Sequence, residues 1–215
     1  MRTGLAALIV AGIVSVSPAL AADDLAPASV FDWSGAYLGV QAGGSWANLD
    51  QRIPAYGPLP DGEMNGGLVG AFAGYNWQFH SLVAGVEIGA NLRNLDGTND
   101  ILNAPELLYT KQNWDASFVA RLGAPVGRTL LYGLAGVSVT EVSSQYTSGF
   151  LSADDVVAGY TVGAGGEFAF TDRVKGRLEY RFADYAEADV QCTGCGPTFV
   201  TPQTHTVTAG LLFSW

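Results

Sequence analysis

Positive charge is scarce in this chain: ten Lys and Arg stand against twenty Asp and Glu, a formal net charge of −10. So acidic a surface repels phosphate, which excludes nucleic acid as a partner. Charge of either sign is thin, at 14% of residues against 48% hydrophobic. Long apolar runs are also missing. Past the first twenty or so residues, none approaches the ~20 apolar residues that a spanning helix needs. A mature chain of this composition that meets lipid must do so as a closed barrel, because lipid offers nothing to an unpaired backbone amide. There are only two Cys and two His in 215 residues.

What is present begins with an export signal. Arg2 is followed by an apolar stretch from Leu5 to Val16, too short to span a membrane; Pro18 breaks it, and Ala19-Leu20-Ala21 forms an A-x-A cleavage site. Cleavage would remove residues 1–21, with one Arg and no acid. Residues 22–32, rich in Ala, Asp, Pro and Ser, read as a short unstructured lead-in. The domain proper is 33–215, one domain's worth of chain.

From Trp33 onward one theme repeats: 10–14 residues alternating apolar with small or polar, then turn chemistry. Eight such stretches are expected, at 34–47, 66–78, 82–92, 111–123, 129–141, 157–170, 174–185 and 205–215. The connections after the first, third, fifth and seventh are long. Those at His80-Ser81, at 124–128 and at 171–173 are short. This alternation is the wiring of an all-β, eight-stranded antiparallel up-and-down transmembrane β-barrel; a soluble barrel has no reason to follow it.

Period-2 reading gives each stretch two faces. Leu82, Ala84, Val86, Ile88, Ala90 and Leu92 oppose Gly85, Glu87, Gly89 and Asn91. Trp114, Ala116, Phe118, Ala120 and Leu122 oppose Asp115, Ser117 and Arg121. The stretch containing Leu130-Leu131-Tyr132 is apolar on both faces. Small residues dominate the polar face, which suits the cramped lumen of eight strands. All five Trp fall near stretch ends: Trp33, Trp77 and Trp215 at the short-turn side, Trp46 and Trp114 at the long-loop side. Trp at both ends of an apolar band reads as an aromatic girdle, so the apolar face looks outward to lipid.

The lumen then gathers the charge that lies inside strands. Glu87, Asp115, Glu167 and Glu179 face Arg121, Lys175, Arg177 and Arg181, four acids with four bases that should pair in confinement. The set reads as structural packing, an occluding plug, or the gate of a narrow pore.

The ordered series Trp33-Ser34-Gly35-Ala36-Tyr37-Leu38-Gly39, Ala73-Gly74-Tyr75-Asn76-Trp77, Ala120-Arg121-Leu122-Gly123, Thr161-Val162-Gly163-Ala164-Gly165-Gly166-Glu167, Glu179-Tyr180-Arg181-Phe182 and His205-Thr206-Val207 to Phe213 resembles the small outer-membrane β-barrel surface-protein family of alpha-proteobacteria. Its members are described as outer-membrane immunogenic or porin-like proteins and are similar in architecture to OmpA and OmpX barrels. The resemblance covers nearly all of 33–215. It implies the outer membrane of a Gram-negative bacterium, surrounding lipid and lipopolysaccharide as partners, and a C-terminal strand read by the barrel assembly machinery. Such barrels usually end in Phe; here the terminal aromatic is Trp215.

Other candidates are weighed on their residues. Cys192-Thr193-Gly194-Cys195 in the fourth long loop reads as a disulfide staple in an oxidising envelope, with redox or metal roles as alternatives. Asn94 to Asp100 lacks the spacing of a calcium loop and reads as a turn; no metal or cofactor is expected. His80 and His205 have no Ser placed for catalysis, so no catalytic residue is assigned and the chain is not expected to be an enzyme. The loop acids, among them Asp50, Asp61, Glu63, Asp96, Asp100, Glu106, Glu141, Asp154, Asp155, Asp184, Glu187 and Asp189, form a solvated face or bridge through divalent cations to lipopolysaccharide phosphates. The expected role is a structural surface protein contributing to envelope integrity, with an ion-paired, mostly occluded lumen. The alternatives are a narrow porin for small solutes and an adhesin or haem binder meeting an external ligand or host surface through its loops.

Overall fold

The computed structural model describes residues 31–53, 57–58, 62–100, 107–146, 152–186, 188–192 and 196–215. The predicted signal peptide (1–21), most of the lead-in and Cys195 of the predicted disulfide lie outside them. Eight long strands run in chain order: β1 Gly35–Ile53, β2 Gly62–Phe79, β3 Leu82–Asp100, β4 Leu107–Val126, β5 Thr129–Tyr146, β6 Ser152–Ala169, β7 Val174–Tyr185 and β8 Gly196–Ser214. Each pairs antiparallel with its sequence neighbours, and β8 returns to pair with β1 from Tyr37↔Ser214 to Arg52↔Phe199. The sheet is closed, so the eight strands leave no edge in the membrane band. Two short strands, Gly57–Pro58 and Ala188–Cys192, fold back on β1 and β8 beyond that band.

The tight connections are His80-Ser81, Gly127-Arg128 and the four residues from Phe170 to Arg173. Both two-residue turns need a left-handed residue, supplied by His80 (φ 55°) and Gly127 (φ 59°). At the other end the strands run well past the ~9–11 residues a tilted spanning strand needs. That corrects the sequence reading of 94–100 as a turn: β3 continues through it, Leu95↔Gln112 to Asp100↔Leu107 on β4. The polar side chains there disguise a hairpin that stands in water, where alternation of apolar residues is no longer required. Asp50 and Asp96 likewise sit on paired strand backbone rather than in loops.

The faces separate cleanly. Leu38, Val40, Val69, Ile88, Leu92, Phe118, Leu122, Leu131, Val137, Leu178 and Leu211 point outward and are exposed. A water-soluble domain does not leave such a contiguous apolar wall uncovered. Tyr75, Trp77, Phe79, Phe168, Phe170, Phe213 and Trp215 ring the short-turn end; Trp46, Tyr160 and Tyr180 mark the other. Ala36, level with Tyr75, and Trp46 lie ten residues apart on β1. At roughly 3.3 Å per residue and a tilt near 40° this is about 25 Å, the height of an outer-membrane apolar band.

Inside, glycine makes room for rings. A Cβ on Gly165 would lie 2.6 Å from the Tyr132 hydroxyl and 2.9 Å from the Leu178 carbonyl oxygen; Gly39 and Gly74 are similarly roofed by Phe72 and Tyr37. On the outer wall Gly133 has nothing nearer than 3.8 Å. Gly165→Ala is therefore expected to destabilise the barrel by about 1–3 kcal/mol through overpacking, while Gly133→Ala has little effect. The temperature at which the unboiled protein shifts to its heated gel migration measures both, and equal behaviour would contradict this account of the lumen.

Candidate functional site

Among the described residues, the lumen is where the strands bring charged side chains together under burial, and it is layered along the barrel. At the short-turn mouth, the segment before β1 turns inward. Trp33, 1% exposed, packs with Val83, Val119, Leu130, Tyr132, Leu134 and Ala169, with Phe31 against them. The Trp33 backbone amide donates to Gln78 Oε1 at 2.7 Å, and the Gln78 amide donates to Ser34 Oγ at 3.1 Å, which fixes the entry. Lys175 Nζ stands over this floor, 4.7 Å from the Trp33 ring centre and 5.4 Å from that of Phe31. No carboxylate among the described residues lies within ion-pair distance of Lys175. Its charge rests on aromatic faces.

Above the floor lies a cluster of three acids and three bases. Glu87 Oε2 accepts from Tyr37 Oη at 2.9 Å, Arg177 Nη2 at 2.7 Å and Arg121 Nη1 at 3.3 Å, and its Oε1 accepts from Arg181 Nη2 at 2.8 Å. Glu167 Oε1 takes Arg121 Nη2 at 2.5 Å and Arg177 Nη2 at 2.8 Å. Glu179 accepts from Tyr132 Oη at 2.6 Å and Arg181 Nε at 2.5 Å. The guanidinium of Arg121 lies 3.9 Å from the Tyr132 ring centre and that of Arg177 lies 3.8 Å from the Phe72 ring centre. Taking so many ions out of water is offset because acids and bases balance and most of their polar atoms are bonded, Arg121 Nε and Arg177 Nη1 excepted. Tyr37, Phe72, Glu87, Arg121, Tyr132, Glu167 and the β7 trio Arg177, Glu179 and Arg181 come from seven different strands, so the network ties opposite walls across the tube.

A third layer is polar. Asp115 accepts from Arg93 and from Asn91 Nδ2 at 3.0 Å, and Asn91 Oδ1 accepts from Gln41 Nε2 at 2.7 Å. Arg93 Nη1 reaches Ser45 Oγ at 2.8 Å, which lies 2.8 Å from Thr206 Oγ1. The space among Gln41, Asn91, Asp115, Arg181 and Tyr185 is about 20 Å³, room for roughly one water molecule. Higher still, Ala47, Leu68 and Leu95 are buried.

Two sequence expectations need correction. Asp115 and Lys175 do not join the other six charges in one set. Asp115 sits a layer higher with Arg93, and Lys175 sits below on its aromatic floor. Arg93 lies one residue past the predicted end of the third stretch at Leu92 and is the next member of the inward series Glu87, Gly89, Asn91. Trp33 is also no part of an outward girdle: it is buried in the floor, one residue outside the first strand and free of its alternation. Trp46, Trp77 and Trp215 are exposed on the wall, and Trp114 is partly exposed there. Tyr132 turns inward with Leu130 while Leu131 faces out, a parity that three consecutive apolar residues could not reveal.

Elsewhere, His80 is exposed at its turn. His205 lies on the outer wall, stacked on Trp46 and 2.8 Å through Nδ1 from Tyr180 Oη. Among the described residues no three of His, Cys, Asp and Glu gather as a metal ion requires. Cys192 ends the short strand Ala188–Cys192 opposite Gly196; the pairing proposed for it involves a residue outside the described set.

Residues 6–213 match the outer membrane protein beta-barrel domain family. The chain is 28% identical over 164 residues to a 25 kDa outer-membrane immunogenic protein of Brucella canis, covering 76% of this chain and 71% of that protein. It is 33% identical over 157 residues to a 22 kDa outer membrane protein of Rhizobium leguminosarum bv. viciae, covering 73% and 66% respectively. Among solved structures, the outer membrane protein OprG from Pseudomonas aeruginosa superposes with a TM-score of 0.56 at 12% identity, over 85% of this chain and 97% of that one. At that identity the likeness concerns the fold alone.

The layering makes opposite demands on two buried charges. Glu87→Ala leaves Arg177, Arg121 and Arg181 without a shared acceptor and is expected to cost about 3–5 kcal/mol. Lys175→Met removes an ammonium with no carboxylate within ion-pair distance among the described residues and fills its space with an apolar chain, so the barrel should unfold at the same or a higher temperature. Thermal unfolding in detergent, followed by circular dichroism, measures both; a large loss of stability in Lys175→Met would contradict the floor as described.

Proposed function

The chain belongs to the outer membrane protein beta-barrel domain family, and from that premise we propose that it is a non-conducting structural protein of the outer membrane, contributing to envelope integrity and holding tall β-hairpins above the surface. The observation that carries this reading is the lumen. From the Trp33 floor through the Glu87–Arg177–Glu167 cluster to the Arg93–Asp115 layer, side chains fill the tube, and the space in its upper polar layer is about 20 Å³. A hydrated ion needs a continuous wet path, and eight strands leave little width for one.

The outer end supports the second half of the reading. β1 continues seven residues beyond Trp46, and β3 eight beyond Leu92. Paired strand backbone carried above the membrane presents a stiff, displayed surface at little entropic cost on meeting a partner. The relatives' description as immunogenic outer-membrane proteins agrees with display at the cell surface. A catalytic role has no support from the positions of His80 and His205. Surrounding lipid is the partner that an outer-membrane barrel necessarily has; recognition of Trp215 and the final strand by the assembly machinery belongs to the proposal.

Planar-bilayer recording of the refolded barrel tests the central claim. The wild type is expected to show no steady channels, and Arg121→Ala, which loosens the cluster while the floor stays, should remain closed or flicker briefly. Stable wild-type conductance that changes with Arg121→Ala would replace this reading with that of a narrow porin gated by Glu87, Arg121, Glu167 and Arg181.

A further inference from the structure

The polar layer of the lumen has a hydrogen-bond direction, and it runs out at an acceptor. Ionised Asp115 can only accept, and with Oδ1 taken by Arg93 its Oδ2 receives the Asn91 side-chain amide, which donates from Nδ2 at 3.0 Å. That places Asn91 Oδ1 on the far side, where it accepts from Gln41 Nε2 at 2.7 Å. Gln41 is left presenting Oε1. Turning over either amide, or both, would set oxygen against oxygen, so the Asp115 charge dictates the sense of the whole relay. Gln41 is 7% exposed, and its Oε1 is buried with no hydrogen-bond partner among the described residues. An acceptor shut away from bulk water needs a donor.

Gln41 lines the space of about 20 Å³ in this layer, together with Arg93, Asp115, Arg181, Tyr185 and Thr208. The Glu87 cluster lies below it, and buried Ala47, Leu68 and Leu95 lie above. These walls decide what the space can take. A cation would face the guanidiniums of Arg93 and Arg181. An anion would face Gln41 Oε1, and both guanidiniums are already bonded to carboxylates, Arg93 to Asp115 and Arg181 to Glu87 and Glu179. The volume admits nothing much larger than one water molecule. A small neutral donor is what remains.

We propose that this space is a binding site for one water molecule, which donates to Gln41 Oε1 and bonds the Thr208 hydroxyl. Gln41 is on β1 and Thr208 on β8, the two strands that close the barrel. The Ser45 and Thr206 hydroxyls already meet across that seam at 2.8 Å, and the water makes a second polar crossing beside them. Asp115 acts here as a positioning residue: it touches no water itself, but it turns the Gln41 oxygen toward the space. Occupancy does not depend on whether the lumen conducts. Slow exchange does, because it rests on the closed-lumen reading proposed above.

Two measurements test this. A crystal structure of the refolded barrel, at a resolution that shows ordered water, should place one water about 2.5–3.0 Å from Gln41 Oε1. Oxygen-17 magnetic relaxation dispersion should then count one long-lived water fewer in Gln41→Met than in the wild type. Thr140→Val, which removes a buried hydroxyl bonded to the Trp114 carbonyl away from the space, should keep the wild-type count, and unboiled gel migration confirms that each variant is folded. The proposal is overturned if the wild-type crystal shows no water there, if a protein donor is found on Gln41 Oε1, or if the water persists in Gln41→Met. A water that is present in the crystal but exchanges too fast for the dispersion measurement supports the site and removes the closed-lumen reading instead.

Discussion

A closed ladder of backbone hydrogen bonds is the constraint from which the rest follows. Lipid gives an amide nothing to bond with, so the return of β8 onto β1, from Tyr37↔Ser214 upward, is a condition for crossing the membrane at all. Closing with eight strands fixes the radius, and the radius fixes the interior. The tube is too narrow to hold bulk water and just wide enough for side chains to fill. Long, branched polar chains and rings laid over glycines are what remain. Phe72 over Gly39, Tyr37 over Gly74 and Tyr132 over Gly165 are one solution to that geometry, repeated on three strands.

The ionic cluster answers the same geometry in electrostatic terms. Its members are almost entirely buried, and buried ions are costly unless each finds its complement. Three carboxylates and three guanidiniums balance here; the Tyr37 and Tyr132 hydroxyls donate to Glu87 and Glu179, while Arg121 Nε and Arg177 Nη1 are left without a hydrogen-bond partner. Arginine suits the task better than lysine, because its planar group bonds carboxylates in the plane while its faces rest on Tyr132 and Phe72. Lys175 makes the contrast plain: a compact ammonium at the mouth, placed over Trp33 and Phe31 rather than among acids. A network spanning seven strands also resists shear between them, which is why the reading favours a strut over a gate.

Much of this was legible in the sequence because a membrane barrel writes its fold in parity. Where apolar and polar residues alternate strictly, as from Leu82 to Leu92, both the strand and the orientation of Glu87 follow from counting by two. Parity failed where its physical cause stops acting. Beyond the membrane, Asn94 to Asp100 alternates nothing and still forms strand, since water tolerates polar residues on both faces. At Leu130-Leu131-Tyr132, the lumen accepts an apolar layer, so both faces look alike. Trp33 sits outside the ladder altogether, and its inward turn depends on Gln78 and Lys175, distant in sequence. Counting by two turns both Asp115 and Arg93 inward, but that they meet, beside register shifts between Leu92 and Leu95 and between Gln112 and Asp115, is a matter of three-dimensional arrangement that counting does not give.

The same reasoning separates glycines that serve the protein from glycines that serve its surroundings. Within the tube, a missing side chain is explained by the ring that occupies its place, and substitution collides with a neighbour already present. On the outer wall no neighbour is present, so the only thing a bare surface can accommodate is something outside the chain. In a membrane that something is lipid. With side chains crossing the interior, the outer wall and the hairpins are the surfaces this chain presents to other molecules.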